Sequence, residues 1–268
     1  MRNLILGFTL LLFASSSFAL GEKSWLTSNK GNHFVLADKN NSAALIIDAD
    51  EFPGVLRAAK NLQTDIEKVT GNQPALVNAA GDKKISAVII GTQGKSALID
   101  QLVANKKIDL SKIKNQWDAY QVQVVENPQP NIVRALVIVG ANKRGTMYGI
   151  YNLSEQIGVS PWYWWADVPI AKKERLFIDK KLHLVEIPKV KYRGIFLNDE
   201  APALTNWVAE KYGNYNAQFY EKVFELLLRL KANFLWPAMW NNAFADDDPQ
   251  NMILADEYGI VMSTSHHE

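Results

Sequence analysis

The chain has 268 residues, 48% hydrophobic and 21% charged, with no cysteine and 29 basic against 28 acidic side chains. That composition belongs to a folded protein, not to a disordered or disulfide-stapled one. The lack of cysteine excludes thiol nucleophiles and thiolate metal sites, and the balanced charge gives no basic footprint for nucleic acid. One feature is uneven: six of the eight tryptophans lie from Trp162 onward.

Arg2 precedes an apolar run from Leu4 to Ala14, and Ser17-Phe18-Ala19 supplies small residues at the exit. This order reads as a secretory signal peptide cleaved after Ala19. A membrane anchor is the weaker reading, because the run falls short of the ~20 apolar residues a spanning helix needs. Loss of the segment removes Arg2 and leaves 28 basic and 28 acidic residues. The expected location is secreted or periplasmic, with no membrane association after cleavage.

Strand-like and helix-like segments alternate through residues 20–186. Strands are predicted at 43–48, 85–90, 120–125 and 133–139, with a turn at 127–131. Helices are predicted from Phe52 to Val69, closed by Gly71, from Gly94 to Asn105 and from Arg144 to Gly158. The charged stretch at 171–181 reads as a solvated linker edge. From residue 187 the order is β-α-β-α-β, with strands at 192–197, 234–236 and 260–262 and helices at 217–230 and 252–258. Such an order implies parallel strands with right-handed crossovers. The fold class is therefore α/β: a small N-terminal α/β sandwich domain (20–186), then the first strands of a truncated (β/α)8 TIM barrel (187–268). A barrel takes about 250 residues, and only 80 remain from Lys189, so the barrel is expected to be incomplete.

Two glycine-rich turns imitate phosphate loops. Gly91-Thr-Gln-Gly94-Lys95-Ser96 has two residues between its glycines where the motif has four. Gly140-Ala-Asn-Lys-Arg-Gly145-Thr146 has the spacing but Thr in place of Lys. Both read better as tight strand-to-helix turns.

Functional side chains of parallel barrels stand just beyond the carboxyl ends of the strands. The three strand ends here are Asn198-Asp199-Glu200, Pro237-Ala-Met-Trp240-Asn241 and Ser263-Thr-Ser-His266-His267-Glu268. Carboxylates, indoles, histidines and amides in one rim suit a sugar, whose C–H faces lie on indoles while its hydroxyls take fixed polar groups. Each segment also has a plainer reading. Asn198-Asp199-Glu200 equally caps the next helix, and Trp236 and Trp240 read singly as packing residues. His266 and His267 lack the i, i+4 spacing of a zinc helix, so no metal is expected. Asp246-Asp-Asp248 lacks calcium-loop spacing and reads as a helix start or solvated turn. Arg193 begins its strand and belongs to the stability face. A non-catalytic carbohydrate-binding module remains a rival reading of the aromatic half.

The stretches Lys191-Tyr-Arg-Gly-Ile-Phe-Leu-Asn-Asp-Glu200, Asn233-Phe-Leu-Trp-Pro-Ala-Met-Trp240, Ala255-Asp-Glu-Tyr-Gly-Ile-Val-Met262 and Ser265-His-His-Glu268 resemble glycoside hydrolase family 115, the xylan α-1,2-glucuronidases. Arg144-Gly-Thr-Met-Tyr-Gly149 and Trp162-Tyr-Trp-Trp-Ala-Asp-Val-Pro169 are similar to the end of that family's N-terminal domain. The resemblance implies removal of glucuronic acid or its 4-O-methyl ether from xylan by an inverting acid/base mechanism. It implies glucuronoxylan or its oligosaccharides as partner, a homodimer as the common assembly, and no cofactor. It implies Asp199 as a pocket carboxylate and Trp240 and His266 as substrate contacts, with Asn198, Glu200, Trp236, His267 and Trp164 as further substrate-binding neighbours. Trp162, Trp164 and Trp165 either reach the pocket or pack the junction between domains. The general acid is expected beyond Glu268, which leaves the chain inactive alone. Another secreted barrel glycosidase, hexosaminidase-like, fits the fold but not the Trp-Pro-Ala-Met-Trp and Ser-His-His-Glu stretches.

Overall fold

The computed structural model describes residues 24–39 and 41–264. The predicted signal peptide and His266, His267 and Glu268 lie outside the described residues. The elements run β1 (Leu26–Thr27), β2 (Phe34–Asp38), β3 (Asn41–Ser42), β4 (Ala44–Ile47), α1 (Pro53–Thr70), β5 (Leu76–Val77), β6 (Ile85–Thr92), α2 (Ala97–Ala104), β7 (Tyr120–Gln129), β8 (Ile132–Gly140), α3 (Lys143–Ile157), β9 (Arg175–Ile178) and β10 (His183–Glu186). Then follow β11 (Gly194–Phe196), α4 (Ala203–Tyr212), α5 (Ala217–Arg229), β12 (Phe234–Trp236), α6 (Phe244–Asp247), α7 (Gln250–Tyr258) and β13 (Val261–Met262).

A six-stranded sheet has the order β10-β7-β8-β6-β4-β5. The β8-β6-β4-β5 part is parallel, and β7 and β10 are antiparallel additions. Its central strands are apolar on both sides because both sides are covered. Leu45, Ile47, Val88, Ile90, Leu136 and Ile138 face the core under α1 and α3. Ile46, Ala87, Ile89, Val137 and Val139 face a second core under α2. Local chemistry sets the helix ends. Pro53 opens α1 and Gly71 closes it at φ 80°. The Asn142 side chain accepts from Gly145 N at 2.9 Å to start α3, and Gly158 ends it at φ 111°.

The stretch at 171–181 is not a linker edge. Leu176, Phe177 and Ile178 are buried in β9, the second strand of an antiparallel sheet ordered β1-β9-β2-β3. The charges flank the strand, and its apolar centre packs inward. The turn predicted at 127–131 is also shorter: β7 runs to Gln129, with a register shift after Glu126 and Asn127 at φ 46°.

Beyond Glu186 the chain forms a separate sheet, β11-β12-β13, with both pairings parallel. This is the β-α-β-α-β unit predicted from the pattern, with two additions, α4 and the short α6. Helix α5 carries it: Phe219, Tyr220, Val223, Phe224 and Leu227 are at most 1% exposed, each worth about 1.5–3 kcal/mol by burial. Asn216 caps this helix by accepting from Gln218 N and Phe219 N at 3.1 and 3.2 Å. The core under α1 and α3 continues without a break into α5 and β12, so the rim described next is held by the whole molecule. No helix among the described residues is long and apolar enough to cross a membrane.

Candidate active site at the strand ends

The carboxyl ends of β11 and β12 are tied together by one side chain. Asp199 is fully buried. Its Oδ2 accepts from Met239 N at 3.0 Å, Trp240 N at 2.9 Å and Asn242 Nδ2 at 3.1 Å. Asn242 Nδ2 also donates to Trp240 O at 2.7 Å, so the segment after β12 is folded around the carboxylate. The Asp199 carbonyl accepts from the Thr205 hydroxyl, which also meets Tyr215 Oη at 3.1 Å. Asp199 Oδ1 is buried and has no hydrogen-bond partner among the described residues. An acceptor left bare in this way costs roughly 1–3 kcal/mol.

Around that carboxylate the other predicted residues separate. Asn198 and Glu200 are exposed on the loop, with Glu200 N donating to Asn198 Oδ1 at 3.4 Å. Trp240 is 42% exposed beside the braced segment, and Trp236 stands edge-on to Phe196 at 5.2 Å. Asn242 was not anticipated from sequence. His266 and His267 lie outside the described residues. Trp164 joins another group: its ring meets Trp165 at 4.8 Å and Trp207 at 6.2 Å. Among the described residues no three His, Asp or Glu side chains gather as a metal-ligand set.

Residues 186–268 match the family model described as glycosyl hydrolase family 115, and residues 25–153 match that of the glycosyl hydrolase family 67 N-terminus. A solved GH115 4-O-methyl-α-glucuronidase with specificity for decorated arabinogalactans is 35% identical over 87% of this chain, at a TM-score of 0.74. This places the chain in glycoside hydrolase family 115. It spans 30% of that enzyme's length. An N-acetyl-β-hexosaminidase of Streptomyces plicatus shares the fold at 10% identity and TM-score 0.50, over 85% of this chain and 42% of its own. No curated protein matches the chain.

The remaining motifs of this family 115 chain are structural. A Cβ on Gly140 would stand 2.0 Å from Thr146 N, and one on Gly145 2.1 Å from Ala119 O. The second decoy is therefore a close-packed turn with no room for a phosphate. In the first, Ser96 caps α2 by accepting from Ile99 N at 3.3 Å, and the Thr92 and Thr146 hydroxyls meet at 2.7 Å. The Asp246-Asp-Asp248 run caps helices: Asp248 Oδ2 accepts from Ala217 N at 2.9 Å and Asp247 Oδ2 from Ala243 N at 2.9 Å. Arg193 stands at the opposite strand ends from the rim, where its Nε donates to Lys231 O at 2.8 Å. Near it, buried Asp118 accepts from Arg144 Nε and Asn233 Nδ2, both at 2.8 Å.

Proposed function

We propose that the chain is part of an exported glycoside hydrolase that removes α-1,2-linked glucuronic acid, or its 4-O-methyl ether, from xylan with inversion. The observation that carries this reading is Asp199: a buried carboxylate at the carboxyl ends of parallel strands with one oxygen saturated and the other bare. The saturated Oδ2 fixes Trp240 as an indole wall, and the bare Oδ1 accepts from a sugar hydroxyl or from the water that attacks it. Trp240 and His266 contact the sugar; Asn198, Glu200, Trp236 and His267 line its surroundings. Inversion needs a proton donor on the glycosidic oxygen and an activated water on the opposite face, with carboxyl groups roughly 6.5–9.5 Å apart. The proton donor is assigned to a segment this chain does not contain, so the 268-residue chain alone releases no uronic acid. Residues 1–19 support export, and the family resemblance supports a homodimer of the full-length protein with no cofactor.

A second reading concerns the polymer. The relative at 35% identity has specificity for decorated arabinogalactans, which makes a galactan backbone the alternative to xylan. Release of free uronic acid from glucuronoxylan and from decorated arabinogalactan, by the protein expressed from its whole reading frame, separates the two. Asp199→Asn should lower kcat/KM about a hundredfold, because the amide oxygen can keep the three donors only by turning its NH2 to the position where the bare oxygen accepts. Wild-type turnover in a folded Asp199→Asn protein would remove Asp199 from the site.

A further inference from the structure

A second cluster of aromatic and charged side chains lies on the segment 162–167 and α4. Tyr163, Trp164, Trp165, Asp167, Trp207 and Lys211 line a groove of about 510 Å³, within the ~300–1,000 Å³ of small-molecule sites. Trp165 is its fixed base. The indole Nε1 donates to Lys222 O at 3.2 Å, and the ring meets Phe219 edge-on at 6.2 Å. Trp164 stands at 82° to Trp165 and 80° to Trp207, so the indoles form a stepped surface instead of a closed stack. All three are partly exposed.

The ammoniums beside them meet the rings but no opposite charge. Lys211 Nζ sits 5.6 Å from the Trp207 ring centroid and Lys222 Nζ 5.7 Å from that of Trp164. Among the described residues neither ammonium has an ion-pair partner, and the exposed Asp167 side chain has no hydrogen bond. Simple packing explains a covered indole; it does not explain three half-covered ones beside two ammoniums without an ion pair and one carboxylate without a hydrogen bond.

We infer that this groove binds a carboxylate-bearing oligosaccharide. Indole faces cover the C–H side of a pyranose ring, the ammoniums of Lys211 and Lys222 receive its carboxylate, and Asp167 accepts from its hydroxyls. The lining itself balances Lys211 against Asp167, and Lys222 beside Trp164 adds the second ammonium that favours an acidic sugar over a neutral one by charge complementarity. The groove is built on other elements than the strand-end rim. The choice of a uronic acid as the charged sugar rests on the glucuronidase reading above.

The test is calorimetric titration of the chain with an aldotetraouronic acid (xylotriose carrying one 4-O-methylglucuronic acid) and with neutral xylotetraose. The wild type should bind the acidic sugar more tightly. Lys211→Glu, at an exposed position that folding tolerates, should weaken the acidic sugar about tenfold and leave the neutral one unchanged. Trp164→Ala should weaken both. Absence of binding in the wild type, or unchanged affinity in Lys211→Glu, overturns the inference. Loss confined to Trp240→Ala also overturns it while leaving the rim reading in place, and that reading has its own assay in the release of uronic acid.

Discussion

Replacing Arg229 with methionine tests what holds α5, and through it the rim, against the N-terminal sheet. The Arg229 side chain is 2% exposed; its Nη1 donates to Asp65 on α1 at 2.9 Å and its Nε to Glu225 at 2.9 Å. The Tyr163 hydroxyl donates to the same Glu225 oxygen at 3.0 Å, and the guanidinium lies 4.7 Å from the Tyr151 ring centroid. Burial opposes the charge, but Asp65, Tyr151 and Glu225 outweigh it and hold the guanidinium above its ordinary value. Methionine keeps the apolar stem and removes the cation, stranding two carboxylates whose side chains are 2% and 10% exposed. Breaking a buried pair from one side costs about 3–5 kcal/mol. Urea unfolding followed by tryptophan emission should show that loss. The triple replacement Arg229→Met, Asp65→Asn and Glu225→Gln should recover most of it, because no charge is then left unpaired. An Arg229→Met protein within about 1 kcal/mol of wild type would refute the view that this triad joins the two parts of the molecule.

Two further outcomes follow from packing. A Cβ on Gly54 would lie 2.2 Å from Glu257 O and 3.1 Å from Met147 Sδ, so Gly54→Ala should force α1 from α7 and cost roughly 1–3 kcal/mol, read by the same unfolding curve. Burial raises Tyr148, Tyr151 and Tyr258 above their ordinary value of 10.0. A raised folded value means stability fully present below pH ~10 and lost as pH climbs above it, as the unfolded phenols ionise first. The unfolding midpoint should therefore fall between pH 9 and 11 (~the phenol range), with phenolate absorbance appearing together with unfolding; ionisation well before unfolding would contradict the burial.

Much of this was legible in sequence because it is local. Continuous apolar runs such as Ile85 to Ile90 marked strands covered on both faces, and Gly71, Gly158 and Gly259 marked helix ends. The rim was legible because parallel strands put their following residues on one side. What stayed hidden depends on partners distant in the chain. Strand β9 hides its three apolar residues between Lys172-Lys173-Glu174-Arg175 and Lys180-Lys181, and its partners β1 and β2 come near the start of the chain. Helix α4 buries only Val208, too little to leave a periodic signature. Asn242 becomes a site residue only when β11 and β12 pair and bring Asp199 beneath it. Asp199 itself was read as a carboxylate at the sugar; what its geometry shows is a brace, since three donors meet one of its oxygens.

The glucuronidase reading meets its most direct test in the anomer of the first product. Proton NMR should follow the protein, expressed from its whole reading frame, as it acts on an aldouronic acid carrying an α-1,2-linked 4-O-methylglucuronic acid. The account predicts free uronic acid appearing first as the β-anomer, with the α-anomer growing in only by mutarotation. Initial release of the α-anomer would contradict inversion, and no release of uronic acid at all would contradict the glucuronidase assignment itself.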